Sequence, residues 1–487
     1  MTPIRAIVGR FIYPYSFAAM EAVLAKRPFE FCAILAHPVE PRKFKGMPES
    51  QQEWFDAGAI RSCQYAGVDW NQLQPLDEEL IDSMRGCEAL FMEIVCRQEW
   101  KYIISYAQRR QWYLKHLQFW NDYILRNRIN LYLSAWIPHE LPDVVIYCLC
   151  KHHNIPVTYF HMSTERDTAF LEHDFTETAV QISPRYEELL KEYAGVTDPA
   201  KIPVEKHIEE RFKALTDPRG QKPPLASVKN PTYFDHLKVL LIKRPLAFFR
   251  YGLQYLTPSG LRRAGSAVQR WNDIRQRNAF YDRVAIEPDL SKKFIYLALH
   301  FQPEASTVPM GGAYSDQVLL ARALAAFLPK DVLIYVKEHP RESSWHSRSI
   351  DYYKDFLAIP SVRLIARHVD TFALSDRCAA IATATGSVGF EGIFRGKPVF
   401  MFGHRFYQYA RGVYRIHTND DLKKAINDVF INGAKPTLVT SKLYLKAMDE
   451  TRVKGTLVPW DRQVSHMTDE EHAKSYSEAI LADLEGI

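Results

Sequence analysis

Phe294-Ile295-Tyr296-Leu297-Ala298-Leu299-His300 is an apolar run of β-forming residues that ends on a polar side chain. A Gly/Pro loop to Tyr314, a helical pattern over Ser315–Leu328 closed by Pro329, and a second β-forming run, Val332–Lys337, follow it. Strand, helix and strand in that order, with buried runs in place of polar alternation, predict a βαβ unit. Downstream the same rhythm predicts helix Ser349–Leu357, strands Val362–Ala366 and Ala379–Thr383, helix Ser387–Arg395 and strand Pro398–Phe402, with mostly helical sequence beyond.

Upstream the pattern recurs. Strand Arg5–Val8, helix Phe17–Ala25 and strand Phe29–Ala36 precede a polar, Pro-containing excursion over Pro41–Pro75. Then come helix Asp77–Met84, strand Ala89–Val95, a long aromatic helix from Trp100 to Arg126, strand Asn130–Ala135, helix Asp143–His153 and strand Val157–Phe160. Two such series predict an α/β protein of two doubly wound lobes with parallel sheets facing a central cleft. The expected division is an acceptor-side lobe over 1–200, a linker and basic helical insertion over 201–290, a nucleotide-binding lobe over 291–410 and C-terminal helices over 411–487.

The chain has 487 residues, 47% of them hydrophobic and 24% charged, enough to build large cores and far from the composition of disorder. Its 62 basic against 57 acidic residues give a net charge of +5, too small to call for nucleic acid. Charge is concentrated locally: Leu237–Asp282 holds nine Lys or Arg against two Asp, interleaved with Leu246, Phe248, Phe249, Tyr251 and Tyr255. That composition suits either a face lying on anionic lipid headgroups or an ordinary solvated helix pair. Seven cysteines without a CxxC pair argue against a disulfide framework or a zinc ribbon. With neither a signal peptide nor an 18-residue apolar span to read, the expected location is the cytoplasm, with peripheral attachment to the inner face of the cytoplasmic membrane through the basic segment.

Ligands of open parallel sheets sit beyond the carboxyl ends of the strands, so the loops there carry the candidates. The first is His300-Phe301-Gln302-Pro303-Glu304, running on to Gly311 and Gly312, and it places a carboxylate at the cleft. The second, Lys337-Glu338-His339-Pro340-Arg341, gathers three potential cations around one acid and suits a phosphate. The third, Thr385-Gly386-Ser387, leads into a helix whose free N–H groups suit a phosphate, although Thr385 or Ser387 could equally be an ordinary N-cap. Glu391, one turn deeper on the same helix face, suits a ribose diol.

These blocks, with Gly396-Lys397-Pro398 through Gly403 and Tyr407, resemble the bacterial capsular polysaccharide biosynthesis family, which includes Kdo transferases. The resemblance is clear over Phe294–Tyr407 and extends to Leu131–His161 around Pro138-His139. It implies a GT-B glycosyltransferase of two Rossmann-like lobes, the C-terminal one holding a nucleotide sugar and the N-terminal one the acceptor. It further implies that His339 and Pro340 form the His-Pro motif that meets the donor phosphate in transferases using CMP-sugars, that Thr385, Gly386 and Ser387 bind that phosphate or the sugar carboxylate, and that Glu391 contacts the nucleoside.

The sequence contains no DxD, the paired carboxylate with which GT-A transferases hold a metal ion, and no GxGxxG or GxxxxGK[ST]. Metal-free phosphate binding therefore fits better, with no cofactor beyond the donor as substrate. The expected catalytic groups are Glu304, as base or as stabiliser of an oxocarbenium-like transition state, and His139 with Glu140 on the facing lobe, as base for an acceptor hydroxyl. Nucleotide-sugar binding is expected from Gln302, Lys337, His339, Pro340, Arg341, Thr385, Gly386, Ser387 and Glu391. The expected function is transfer of a sugar, Kdo or a related 2-keto acid sugar from CMP, to a glycan or lipid-linked acceptor. The alternatives are a UDP-sugar transferase or epimerase, and a non-catalytic polysaccharide assembly or export component.

Overall fold

The computed structural model describes residues 3–36, 43–99, 104–217, 257–302, 304–340, 342, 348–458 and 462–486. Residues 237–256 of the basic segment, Pro303 of the loop His300–Glu304 and the candidate Arg341 lie outside them.

The N-terminal lobe is built on β1 (Arg5–Gly9), β2 (Phe31–Ala36), β3 (Gln52–Asp56), β4 (Leu131–Ser134), β5 (Val157–Met162) and β6 (Thr168–Glu172). The C-terminal lobe uses β7 (Phe294–Ala298), β8 (Leu333–Lys337), β9 (Val362–Ile365), β10 (Ala380–Thr383), β11 (Val399–Met401) and β12 (Val413–Arg415), and the chain then returns β13 (Val453–Lys454) to the first sheet. The first sheet has the order β13-β6-β5-β4-β1-β2-β3 and is parallel except at β6 and β13. The second, β12-β11-β10-β7-β8-β9, is parallel throughout. Both lobes have the expected Rossmann-like form, each a mainly parallel sheet. The inner strands β2, β4 and β10 bury almost every residue, as sheets covered on both faces must, whereas the edge strands β3, β12 and β13 bury none.

Three parts of the pattern differ from expectation. Ala89–Val95, expected as a strand, lies in helix Arg85–Ile94 and the 3₁₀ turn Val95–Gln98. Cys87, Phe91 and Ile94 are its buried positions, spaced i, i+4 and i+7, so the run follows a helical period and not a strand's. β3 lies inside the excursion expected to be irregular, where Gln52-Glu53-Trp54-Phe55-Asp56 pairs in parallel with β2 from the sheet edge. Its alternation is too weak to see, and tertiary pairing holds it. Helix Lys206–Thr216 interrupts the expected linker and buries Ile208, Phe212 and Leu215 against the C-terminal lobe.

The lobes are tied together twice. Helix Asp469–Glu485 starts on a capping box, Thr468 and Glu471 each accepting the other's backbone N–H, a device worth about 1 kcal/mol. It packs along helix Pro14–Lys26 of the N-terminal lobe. In the other direction Val308 and Met310, from the loop after β7, enter the core of the N-terminal lobe. All seven cysteines are free thiols. Among the described residues no helix is long and apolar enough to cross a membrane.

Candidate functional site

The cleft is lined by the loops after β1 and β4 on one side and after β7, β8, β10 and β11 on the other. β1 is followed by Arg10, which takes a φ of 68°, a left-handed conformation disfavoured for any residue but glycine. A buried ion pair holds it there: Arg10 Nη2 lies 2.8 Å and Nε 3.0 Å from Oδ2 of Asp143, in the first turn of helix Leu141–His152. The pair fixes the β4 loop between them, and that loop carries His139 and Glu140.

His139 donates Nδ1–H to the carbonyl of Ile137 at 2.7 Å, leaving Nε2 as the acceptor, without a hydrogen-bond partner among the described residues. Burial lowers its pKa below the usual histidine value, with the cations Arg97 and Arg10 adding to the effect against Glu140, so the ring is neutral. A neutral imidazole whose second nitrogen is already fixed has the form of a general base. For Glu140 burial acts upward, but His139, Arg10, Arg61 and Arg97 outweigh it and the pKa falls. Glu140 is thus a poor base; it serves as the counter-ion of this cationic loop, 3.7 Å from Arg61. The expected pair divides its roles accordingly.

Arg97, in the 3₁₀ turn Val95–Gln98, joins the two walls. Its Nη1 donates to the carbonyl of His139 and its Nη2 to the carbonyl of Val308 at 2.5 Å. Both Glu140 and Glu304 lie in its field. The loops of His139 and Glu304, 165 positions apart in sequence, are thereby brought to one place. Ser306 Oγ donates to Glu304 Oε2 at 3.0 Å, while the Glu304 carbonyl accepts from the N–H groups of Thr307 and Val308. The carboxylate is held by its own loop, where it acts on the charges of Arg97 and Arg405.

Several expected donor-binding residues turn inward instead. Lys337 donates Nζ to the carbonyl of Arg367 at 2.6 Å and lies buried, closing the end of β9; burial lowers its pKa. Gln302 gives Nε2 to the carbonyl of Ser315 and accepts from Thr307 Oγ1, bracing the β7 loop. The Thr385 N–H goes to His300 Nε2 at 3.0 Å, its hydroxyl to the carbonyl of Ser306, and the Gly386 N–H to Thr383 Oγ1 at 2.9 Å. Gly386 is needed because a Cβ there would come within 2.8 Å of Thr383 Oγ1 and 3.2 Å of His300 Cε1. The close approach it permits is to its own protein. Of the third loop, Ser387 is exposed, and one turn on burial raises the pKa of Glu391 while Arg395, Arg211 and the Ser387 hydroxyl pull it down. His339 remains half-buried beside the Phe301 ring at 5.8 Å, close enough to His300 to act on its charge, and Pro340 is exposed.

His300 is the organiser of this wall. Since a backbone N–H and the Thr383 hydroxyl both donate to Nε2, the neutral ring carries its proton on Nδ1. Residues not singled out from sequence complete the floor: Arg348 donates to the His300 carbonyl, and Glu342, wholly buried, sits 3.8 Å from Arg277 and 3.9 Å from Arg348. Arg405, in the loop after β11, reaches across to His161 Nε2 at 2.6 Å, with Glu172 behind His161 at 3.3 Å. The rule that pointed to the loops after β7, β8 and β10 also covers Gly403-His404-Arg405; Arg97 and Arg277, on helical segments, had no such signal.

Three loops converge at Gly403, where an added Cβ would lie 2.7 Å from the Met310 carbonyl oxygen, 2.7 Å from Thr385 Cγ2 and 3.0 Å from Gly311 Cα. Backbone cannot yield as a flexible side chain does. Gly403→Ala is expected to cost roughly 1–3 kcal/mol by overpacking, read as a lowered urea midpoint. An unchanged midpoint would show that the loops are not in contact there.

Residues 242–446 match the model of a family described as capsule polysaccharide biosynthesis protein, so the resemblance carried by the cleft motifs holds over a stretch that includes the whole second sheet. No curated protein matches the chain. Among solved structures it is similar to the β-Kdo 2,7 transferase of Thermosulfurimonas dismutans KpsC, at 13% identity over 80% of this chain and 95% of that one, with a TM-score of 0.29. It is also similar to UDP-GlcNAc 2-epimerase from Methanocaldococcus jannaschii, at 11% identity, 92% and 100% coverage and a TM-score of 0.25. The Neisseria meningitidis epimerase bound to UDP-GlcNAc gives 12%, 100% of both chains and 0.21. No step of the site's chemistry rests on these likenesses.

Proposed function

We propose that this chain is a glycosyltransferase of bacterial surface-polysaccharide biosynthesis, capsule or lipopolysaccharide, which moves Kdo or a related 2-keto acid sugar from CMP to a glycan or lipid-linked acceptor. The observation that carries the reading is the meeting of the Glu304 and His139 loops through Arg97, at the cleft edge of a lobe that matches the capsule family. In this reading the donor lies against His339, Pro340, Ser387 and Glu391, its phosphate taken by side-chain cations without a metal ion. His139 Nε2 draws the proton from the acceptor hydroxyl while Glu304 faces the positive charge that develops at the anomeric carbon. The basic segment rests on anionic lipid at the inner face of the cytoplasmic membrane; its described part, helix Pro258–Val284, exposes Trp271 with Arg275 stacked on it.

Thermal shift without added metal tests the donor. CMP is expected to raise the melting temperature where UDP, GDP and ADP do not, since a ligand at a hundred times its Kd adds about 2.7 kcal/mol. Preference for UDP would replace the proposal with a hexose transferase, or with an epimerase if product forms without acceptor; silence from all four nucleotides would defeat it. Pelleting with anionic but not neutral vesicles is the matching result for the membrane, and a soluble fraction in both would remove that part.

A further inference from the structure

Arg97 and Arg405 come from opposite lobes and grip the same short stretch of the β7 loop: Arg97 through the Val308 carbonyl, and Arg405 through Met310 Sδ at 3.7 Å. Each is met only by neutral acceptors. Arg97 has the carbonyls of His139 and Val308; Arg405 has the His161 imidazole and a thioether. Among the described residues no carboxylate oxygen comes within 4.0 Å of either guanidinium, and Glu304, the acid common to both, acts from farther away. The other buried or half-buried arginines of the cleft are different: Arg10 has Asp143, Arg61 has Glu140, and Arg277 and Arg348 share Glu342.

A guanidinium drawn out of water with no carboxylate in direct contact is expensive to keep; Glu140 and Glu304 act on Arg97, and Glu172 and Glu304 on Arg405, only from beyond 4.0 Å, so two such groups at one lobe boundary leave a demand for negative charge. Among the described residues the Nε and Nη2 donors of Arg405 have no hydrogen-bond partner and are not shut off from solvent, so that edge of the fork is left to take a ligand. That fork matches the two oxygens of a carboxylate or a phosphate.

We infer that Arg97 and Arg405 form a receptor for a small oxyanion carried by the substrate, either the carboxylate of an acidic sugar or the phosphate of the nucleotide. The inference rests on the proposed function only in placing the substrate in this cleft. Because both guanidiniums also contact the loop that carries Glu304, the anion they take would lie beside the reacting bond, and binding would draw the lobes together over it.

Titration calorimetry of the full chain tests this with three probes: free Kdo as a 2-keto sugar acid, inorganic phosphate, and CMP. Arg405→Gln is expected to weaken one class of probe at least tenfold, with Arg405→Lys recovering part of the loss because it restores the charge without the fork. Loss confined to Kdo identifies the carboxylate as the occupant, and loss confined to phosphate and CMP identifies the phosphate. Undiminished binding of every probe overturns the site, as does failure of the wild type to bind any of them. If Arg405→Gln does not fold, Arg97→Gln is read by the same titrations. None of these readings requires transfer, so an inactive protein that binds the oxyanion would separate failure of the proposed function from failure of the receptor.

Discussion

Glu304→Gln is expected to lower sugar transfer by roughly 10²- to 10⁴-fold while leaving nucleotide binding intact. The substitution keeps size and hydrogen-bonding shape and removes only the negative charge. Ser306 Oγ, which donates to Oε2, can donate equally to an amide oxygen, and the contacts of the Glu304 backbone with Thr307 and Val308 do not involve the side chain. The loop therefore stays in place, and what is lost is the charge facing the reacting carbon. His339→Ala separates the two halves of the site, since it is expected to weaken the donor and to spare the acceptor side. Steady-state transfer with the nucleotide sugar selected by thermal shift, together with calorimetry of the free nucleotide, reads both effects. A Glu304→Gln enzyme within a few-fold of wild type would move the catalytic duty away from this carboxylate.

The cleft loops are legible in sequence where topology alone locates them. Once β7, β8 and β10 are recognised as buried runs, the loops just past them are located, and with them His300, Glu304, His339 and Ser387. The direction of each side chain is a separate matter. Lys337 and His339 are two residues apart and in an unbroken strand would share a face, but β8 ends at Lys337, whose buried Nζ closes the end of β9, while His339 lies beyond the strand in the loop, half-buried beside Phe301. Thr385 and Gly386 looked like phosphate donors because a loop entering a helix has free N–H groups; His300 and Thr383, from neighbouring strands, take those groups first. Arg97 gave no signal because its importance comes from partners distant in sequence, His139 42 positions away and Val308 of the other lobe 211 positions away. The segment Ala89–Val95 misled for a local reason: β-branched and aromatic content outweighed the spacing of Cys87, Phe91 and Ile94.

Acid is expected to unfold this protein well above the carboxylate range, and two histidines set the window. Burial lowers the pKa of His300 to about 3, with Arg348, His339 and Arg405 adding to the effect, and burial alone lowers that of His116 to about 3. In the unfolded chain both titrate near 6.5. The stability tied to their neutral forms is therefore fully present above pH 6.5 and declines as pH falls toward 3, because the unfolded chain takes up protons that the native one refuses. Each group costs up to about 1.4 kcal/mol per pH unit, and less near pH 6.5 where the unfolded histidine is only half protonated, so the pair removes about 3 kcal/mol between pH 6.5 and 5, against a typical domain stability of about 5–15 kcal/mol. His139 and His161, lowered by burial as well, act in the same direction, and His173, raised by its hydrogen bond to Asp483, opposes them. At His300 the cost is also structural. The incoming proton must go to Nε2, the atom that accepts from Thr385 N–H and the Thr383 hydroxyl, so protonation releases the β10 loop from the wall of the cleft. At His116 the ring is enclosed by Tyr65, Phe91 and the rest of an aromatic core, where Nε2 has no partner to receive a new N–H. Urea midpoints at pH 7.5, 6.5, 5.5 and 5.0 measure the loss, and His300→Gln, which retains a hydrogen-bonding side chain but does not titrate, is expected to flatten the slope. A midpoint that holds constant from pH 6.5 to 5.0 would mean that neither histidine is neutral by constraint, and that the β10 loop does not depend on His300 for its place.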